Sequence, residues 1–236
     1  MPVKLALLGA DPLAFPPLSS ALREPDGLLA AGGDLSVERL VAAYSRGIFP
    51  WFSRGDPILW WSPDPRFVLE PAGIHVGRSL SKAMARSPYR ISFDEAFSAV
   101  IRACAQAPRP GQRGTWITRA MLEAYDALHA AGHAHSVEAW RGDELVGGLY
   151  GVSLGRMYFG ESMFARADNA SKIAFVVLCR HLAHWQFPLV DCQMETAHLA
   201  RFGGHFITRD EFATRVATAC ALPGPDWRLD PALAGA

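Results

Sequence analysis

Cysteine is scarce in this sequence: 4 residues of 236, at Cys104, Cys179, Cys192 and Cys220, each standing alone. Without a C-x-x-C pair, neither a zinc ribbon nor a disulfide framework is expected, and no metal ligand set presents itself. An excess of charge is also lacking, since Lys+Arg and Asp+Glu are both 23. Any grip on nucleic acid must then come from a local patch. No apolar run approaches the ~20 residues of a membrane span. The apolar stretch in the opening "MPVKLALLGADP" is too short for a secretory leader. A cytoplasmic protein with no membrane partner is the expectation. Internal repeats are absent too, which excludes solenoids.

What is present is half hydrophobic, enough for one large domain or one with a small companion. Residues 1–67 are rich in turn-formers and aromatics. Within them "GDLSVERLVAAYSRGIFP" reads as a helix, with Asp34 or Ser36 as cap, an apolar face of Val37, Leu40, Val41 and Tyr44, and a stop at Gly47. The run "FPWFSRGDPILWWSPDPRF" holds too many prolines for a helix and reads as a stiff aromatic loop with a short strand at Ile58–Trp61.

From Phe67 onward, helical and strand patterns mix. Helices are expected in "RSLSKAMARS", in "SFDEAFSAVIRACAQA" with Ser92 as its cap, and in "TRAMLEAYDALHAAG" opened by Thr118. Three hairpin-linked strands follow in "HSVEAWRGDELVGGLYGVSLGRMYFGESMF". The helix "NASKIAFVVLCRHLAHW" then leads to the strand "PLVDCQM". Strand, helix and strand in that order make a crossover, so the strands at 156–163 and 188–194 are expected to be parallel neighbours. A short helix at 196–202, a strand at His205–Ile207 and a helix from Arg209 to Ala221 complete the pattern.

The strand "LVDCQME" poses a chemical question. Residues two apart on a strand share a face, so Asp191, Gln193 and Glu195 are expected to point one way. Glu161 of "YFGESMF" lies in the neighbouring strand, and the three groups Glu161, Asp191 and Gln193 would meet in a cleft at the strand ends. A structural hydrogen-bond network is the alternative reading. The turn after "GESMF" is "ARADNAS", which has no glycine to let backbone amides approach a pyrophosphate. That speaks against an acyl-CoA enzyme, and no cofactor is expected.

Two further features suit a nucleic acid. Arg78, Lys82 and Arg86 recur every four residues on one helix face, followed by Arg90, Arg102, Arg109, Arg113 and Arg119, against only Asp94 and Glu95. An ordinary solvated face is the commoner fate of such a row. Trp51 in "FPWF" and Trp116 in "GTWIT" sit in turn-rich contexts where an exposed ring can stack on a base, although core packing is the more frequent fate of tryptophan. His133 and His135 lack a third metal ligand at a sensible spacing, and His198 and His205 are isolated.

Taken in order, "GIFPWF", "WWSPDPR", "GTWIT", "GHAHSVE", "ELVGGLYGV", "GESMF", "NASK" and "DCQ" closely resemble the leucyl/phenylalanyl-tRNA–protein transferase family, from about residue 20 to about residue 215. The segment "HLARFGG" departs from the family pattern at Arg201 and Phe202. The resemblance implies an α+β chain: an acetyltransferase-like (GNAT-like) mixed sheet flanked by helices at 68–236, with a small N-terminal α/β domain at 1–67. It implies an aminoacyltransferase whose partners are leucyl-tRNA, phenylalanyl-tRNA and proteins that begin with Arg or Lys, which the transfer tags for degradation.

By the same resemblance, Glu161, Asp191 and Gln193 are the catalytic group; for aminolysis of an ester we expect Asp191 to orient Gln193, Gln193 to hold the attacking amine and ease its proton loss, and Glu161 to hold the α-ammonium or position the ester. Trp51 and Trp116 would lie near the tRNA 3′ end. Leu149 and Met163 would form the side-chain pocket with Val190, and Phe175, Leu178 and Leu182, which share one helix face by spacing, would complete it. From the residues themselves, Arg78, Lys82, Arg86 and Arg90 of the basic row would meet the tRNA backbone, and Glu195 is a candidate acidic surface for the acceptor's cation. Another acyltransferase on the same fold and a non-catalytic RNA-binding module are the competing readings.

Overall fold

Alternation along two long strands builds a core on each face of one sheet. In the strand Glu144–Leu154, Leu149 packs to one side while its neighbour Tyr150 packs to the other. In the strand Met157–Ala165, Tyr158 and Phe159 divide in the same way. The structure, a computed structural model, describes residues 5–108 and 115–235. Arg109 and Arg113 of the basic row lie outside the described residues.

The strands are β1 Ala6–Leu8, β2 Leu28–Gly32, β3 Phe49–Pro50, β4 Leu59–Trp61, β5 Arg66–Leu69, β6 Arg90–Phe93, β7 Ala134–Arg141, β8 Glu144–Leu154, β9 Met157–Ala165, β10 Leu189–Gln193 and β11 His205–Ile207. The helices are α1 Val37–Tyr44, α2 Arg78–Ala85, α3 Phe97–Gln106, α4 Arg119–Ala130, α5 Ala170–His184, α6 Ala197–Arg201, α7 Arg209–Cys220 and α8 Pro231–Ala234. A small sheet runs β1-β2-β4-β3, and a larger one runs β11-β5-β10-β9-β8-β7-β6. Both are mixed: β1 and β2 are parallel in the first, β9 and β10 in the second, and the other pairs are antiparallel. Among the described residues no helix is long and apolar enough to cross a membrane.

The parallel pairing of β9 with β10 is the one the crossover through α5 implies, in the register Leu189 to Met157. Helix α5 packs on β7, β8 and β9 from one face, where Val137, Leu149 and Tyr158 join its apolar side. Helices α3 and α4 cover the other face with Val100, Ile101, Met121 and Tyr125. The same core continues into the small sheet through Leu29, Leu40, Tyr44 and Trp60. The boundary expected after Phe67 falls inside β5, all four residues of which are buried in the larger sheet.

Helix α1 forms as its sequence suggests. Ser36 Oγ accepts the Arg39 amide, Asp34 accepts the Ser36 amide, and Gly47 turns the chain out with φ +75° beneath the Phe212 ring. Thr118 caps α4 by accepting the Met121 amide. The expected cap at Ser92 is not found. Ser92 lies in β6, which pairs with β7, and its hydroxyl donates to the buried Glu138. Helix α3 starts later, at Phe97, with Ala96 at its cap. Strand pairing and the carboxylate outcompeted the local capping signal.

Candidate active site

The ladder between β9 and β10 ends at Phe159 opposite Asp191. Beyond that point each strand is disturbed by a bulge. On β9 the pairing with β8 jumps from Gly151–Gly160 to Tyr150–Ser162, which leaves Glu161 as the extra residue. On β10 the pairing with β5 jumps from Asp191–Val68 to Gln193–Phe67, which leaves Cys192 as the extra residue. A bulge re-aims the side chains around it. Here both bulges line one cavity of about 620 Å³.

Glu161, Asp191 and Gln193 all line that cavity. So do Leu149, Met163, Phe175 and Val190 of the expected side-chain pocket, and Trp51 and Trp116 stand at the wall shared with a second cavity of about 980 Å³. Leu178 and Leu182 do not reach it. They lie one and two turns farther along α5 than Phe175, and both are fully buried in the core between α5 and the sheet. Helical spacing gave them the same face as Phe175 but not the same depth. Glu195 lies past the end of β10, exposed to solvent.

Asp191 is fully buried and fully engaged. Its Oδ1 accepts from Arg66 Nε and its Oδ2 from Arg66 Nη2, both at 2.8 Å. Oδ1 also accepts the Gln193 amide at 2.9 Å. Arg66 is itself buried, with the rings of Phe49 and Phe212 at 4.7 and 4.5 Å from its guanidinium carbon. Gln193 takes φ +56°, a left-handed backbone that the amide bond to Asp191 holds in place. Asp191 and Gln193 therefore share the cavity as expected but not one role: the Asp191 oxygens are taken by Arg66 and the Gln193 amide, while Gln193 stands on the cavity wall.

Glu161 has a different environment. The Tyr44 hydroxyl lies 2.7 Å from Oε1 and the Tyr125 hydroxyl 3.0 Å from Oε2, each placed to donate, and the two hydroxyls lie within hydrogen-bonding reach of each other. Burial pushes the Glu161 carboxyl up to about 7, against the two phenol hydrogen bonds and Arg66, which pull it down. Both phenols are themselves pushed well above their ordinary range, first by burial and then by the Glu161 charge. His198 also lines the cavity, and burial together with Lys172 and Arg201 holds its imidazole below the ordinary value.

Three of these residues were not singled out for chemistry by sequence reasoning. Tyr44 reads as an apolar position of its helix, and Tyr125 lies inside the expected helix "TRAMLEAYDALHAAG" with nothing in the pattern to single it out. Arg66 is the one charge in the strand "RFVL", and a lone charge in an apolar strand is the signal of a buried partner. Of the basic row, Arg78, Lys82 and Arg86 are exposed and have no ion partner among the described residues, whereas Arg90 pairs with Glu95 at 2.8 Å and lies over Trp140. Arg119 pairs with Glu123 and lines the second cavity, as does Arg54. Among the described residues no three His, Cys, Asp or Glu side chains could hold a metal ion together.

Comparison with known proteins matches the family model "Leucyl/phenylalanyl-tRNA protein transferase" to residues 68–217, and that of the family's N-terminal domain to residues 33–64. A relative of that name from Ectopseudomonas mendocina (strain ymp) is 57% identical over 224 residues, 94% of this chain and 99% of the relative. Another from Pseudomonas syringae pv. tomato is 60% identical over 209 residues, 89% of this chain and 91% of the relative. One from Myxococcus xanthus is 58% identical over 223 residues, 94% of each. Among solved structures, a DUF2156 domain from Agrobacterium fabrum covers 79% of this chain and 69% of its own at 11% identity and a TM-score of 0.40, a likeness too distant to argue from.

Proposed function

The chain belongs to the leucyl/phenylalanyl-tRNA–protein transferase family and is an aminoacyltransferase, and on that premise we propose that the cavity lined by both bulges is its reaction site. There a leucyl or phenylalanyl group leaves the 3′ end of tRNA for the N-terminal amine of a protein that begins with Arg or Lys. In this family such a tag marks the protein for degradation. One observation carries the assignment of the site: Glu161, Asp191 and Gln193, the apolar Leu149, Met163, Phe175 and Val190, and the two tryptophans converge on one cavity.

The reaction is aminolysis of an activated ester, and what it asks of the protein is placement. Holding amine and ester within attack distance supplies several kcal/mol of the barrier. Leu149, Met163, Phe175 and Val190 receive the apolar side chain. The slot excludes polar side chains by desolvation and β-branched ones only by shape, where one methylene is worth ~1–3 kcal/mol. Trp51 and Trp116 flank the terminal adenosine, and the neighbouring cavity with Arg54 and Arg119 takes the sugar–phosphate that precedes it. Arg78, Lys82 and Arg86 on α2 meet the tRNA backbone, with Arg90 contributing less because Glu95 already neutralises it.

Gln193 presents its carboxamide to the attacking amine. Asp191 acts through it, because Arg66 holds Asp191 and Asp191 holds the Gln193 amide. The exposed Glu195 is our candidate for the cation of the acceptor's first side chain. We also read the larger sheet as acetyltransferase-like, a reading supported by its central parallel pair, which parts beyond Phe159 and Asp191. A small N-terminal part that ends where β5 begins, and the reaction's place in the cytoplasm, belong to the same proposal.

Labelled leucine on charged tRNA tests the function. Transfer is expected to a protein that starts with Arg or Lys and not to the same protein starting with Met. Transfer to neither, or to both alike, would overturn the proposed reaction or its acceptor preference.

A further inference from the structure

Two carboxyls line the cavity, and only one of them has partners that can accept as well as donate a hydrogen bond. Asp191 has its oxygens committed to Arg66 and to the Gln193 amide. Gln193 is a neutral amide and not a base. His198 is on the wall, but burial and its cationic neighbours Lys172 and Arg201 oppose its protonation. Glu161 remains, and its surroundings accept both of its forms.

Counting protons shows why. Glu161, Tyr44 and Tyr125 contact one another along three edges. The two phenols bring two protons. With Glu161 ionised, both phenols point at the carboxylate and the Tyr44–Tyr125 edge has no proton to share. With Glu161 protonated, a third proton is present and each edge carries one hydrogen bond. Neither form leaves the carboxyl bare. The other charged or titratable groups facing it are Asp191 on β10, Arg66 on β5 and Tyr158 on β9.

We propose that Glu161, ringed by the hydroxyls of Tyr44 and Tyr125, takes the proton from the attacking nitrogen and returns it to the departing ribose oxygen. The inference rests on the aminoacyl-transfer reading above and adds the route of the proton. The neutral α-amine attacks the ester carbonyl carbon, and a C–N bond forms. The nitrogen becomes positively charged and gives one proton to the Glu161 carboxylate. The C–O bond to the ribose 3′-oxygen then breaks, and that oxygen takes the proton from Glu161. The amide and the free 3′-hydroxyl leave, and Glu161 is a carboxylate again. Tyr44 and Tyr125 are positioning residues in this scheme, because they touch Glu161 and not the reacting atoms.

The acceptor amine titrates at about 7.7–8.0 in its own right and would mask a second ionisation. The test therefore uses two acceptor peptides, one with its natural α-amine and one with an α-aminooxy group, which is neutral throughout the range examined. Single-turnover transfer is followed against pH. With the aminooxy acceptor, the wild-type rate is expected to fall tenfold per pH unit below about 7 and to level off above it. In Glu161→Gln that fall disappears and the plateau rate drops by roughly 10²-fold or more. In Tyr44→Phe and Tyr125→Phe the carboxylate loses a donor, so the fall moves to higher pH, while circular dichroism reports the fold.

A wild-type profile flat with the aminooxy acceptor would overturn the proposal. So would a Glu161→Gln rate lowered equally at every pH with the fall still in place, or a fall that survives Glu161→Gln and vanishes in His198→Gln. Failure of the wild-type chain to transfer leucine or phenylalanine to either peptide would instead remove the function on which the proposal stands.

Discussion

Glu161 titrates near neutrality in the folded chain, and that has a consequence for stability as well as for chemistry. An unfolded glutamate titrates at about 4.3, and folding raises this one to about 7. A group raised by folding favours the folded state fully below its unfolded pKa and loses that contribution as pH climbs through the folded one. Glu161→Gln is therefore expected to melt above the wild type at about pH 8 to 9, with the gap closing as pH falls toward 5. Thermal melts across that range check it, and a gap independent of pH would contradict it. Asp191 behaves differently. It and Arg66 have no solvent contact, so removing either partner strands a buried charge, at about 3–5 kcal/mol. Asp191→Ala should lose stability on that scale in urea melts and lose transfer as well, whereas Asp191→Asn, which keeps a carbonyl acceptor, should lose less stability and show its defect in kcat more than in KM. The sequence could suggest Asp191 and Gln193 as a pair but not Arg66, because the partner lies 125 positions away and only the pairing of β5 with β10 brings it close.

At the scale of elements, regular periodicity was readable and its interruptions were not. The β9–α5–β10 crossover, the hairpin of β7 and β8, and the caps at Ser36 and Thr118 follow from local pattern and turn chemistry. The two bulges at Glu161 and Cys192 leave no mark in the sequence. A strand period of two predicts one shared face for Asp191 and Gln193; both do line the cavity, but the bulge places the Gln193 amide on the Asp191 carboxylate, a contact that regular pleating does not predict. The strand β6 was hidden because Ser92 and Glu95 mimic a capping box, and its pairing with β7 decided the matter. Helix α2 is the opposite case, a regular row of exposed cations, Arg78, Lys82 and Arg86, with no ion partner among the described residues. If Lys82 and Arg86 meet phosphates, reversing both to Glu weakens tRNA binding and makes the dependence of log affinity on log salt shallower by about 2. Filter binding over a salt series reads this out, and an unaltered slope would mean that the row is ordinary surface.

For the molecule as a whole, the important feature is that the site is assembled from distant parts of the chain. Tyr44 comes from the N-terminal region, Tyr125 from the far face of the larger sheet, Glu161 and Asp191 from its centre, and Trp51 from the aromatic loop. One core joins the small sheet to the large one through Leu40, Tyr44, Phe159 and Phe212. Calorimetry should accordingly record one unfolding transition, and two resolved transitions would show that residues 1–67 fold apart from the rest. Family membership was legible from ordered motifs, while the depth of the cavity was not, which is why Leu178 and Leu182 were misplaced. The most direct measurement fills that cavity. Met163 lies on its wall and is only partly buried, so Met163→Trp occupies the slot with little disturbance of the core. The variant should bind charged tRNA as the wild type does and transfer phenylalanine at least about 100-fold more slowly, with leucine less affected. Transfer of both residues at wild-type rates from a folded Met163→Trp protein would mean that the amino acid is held somewhere else.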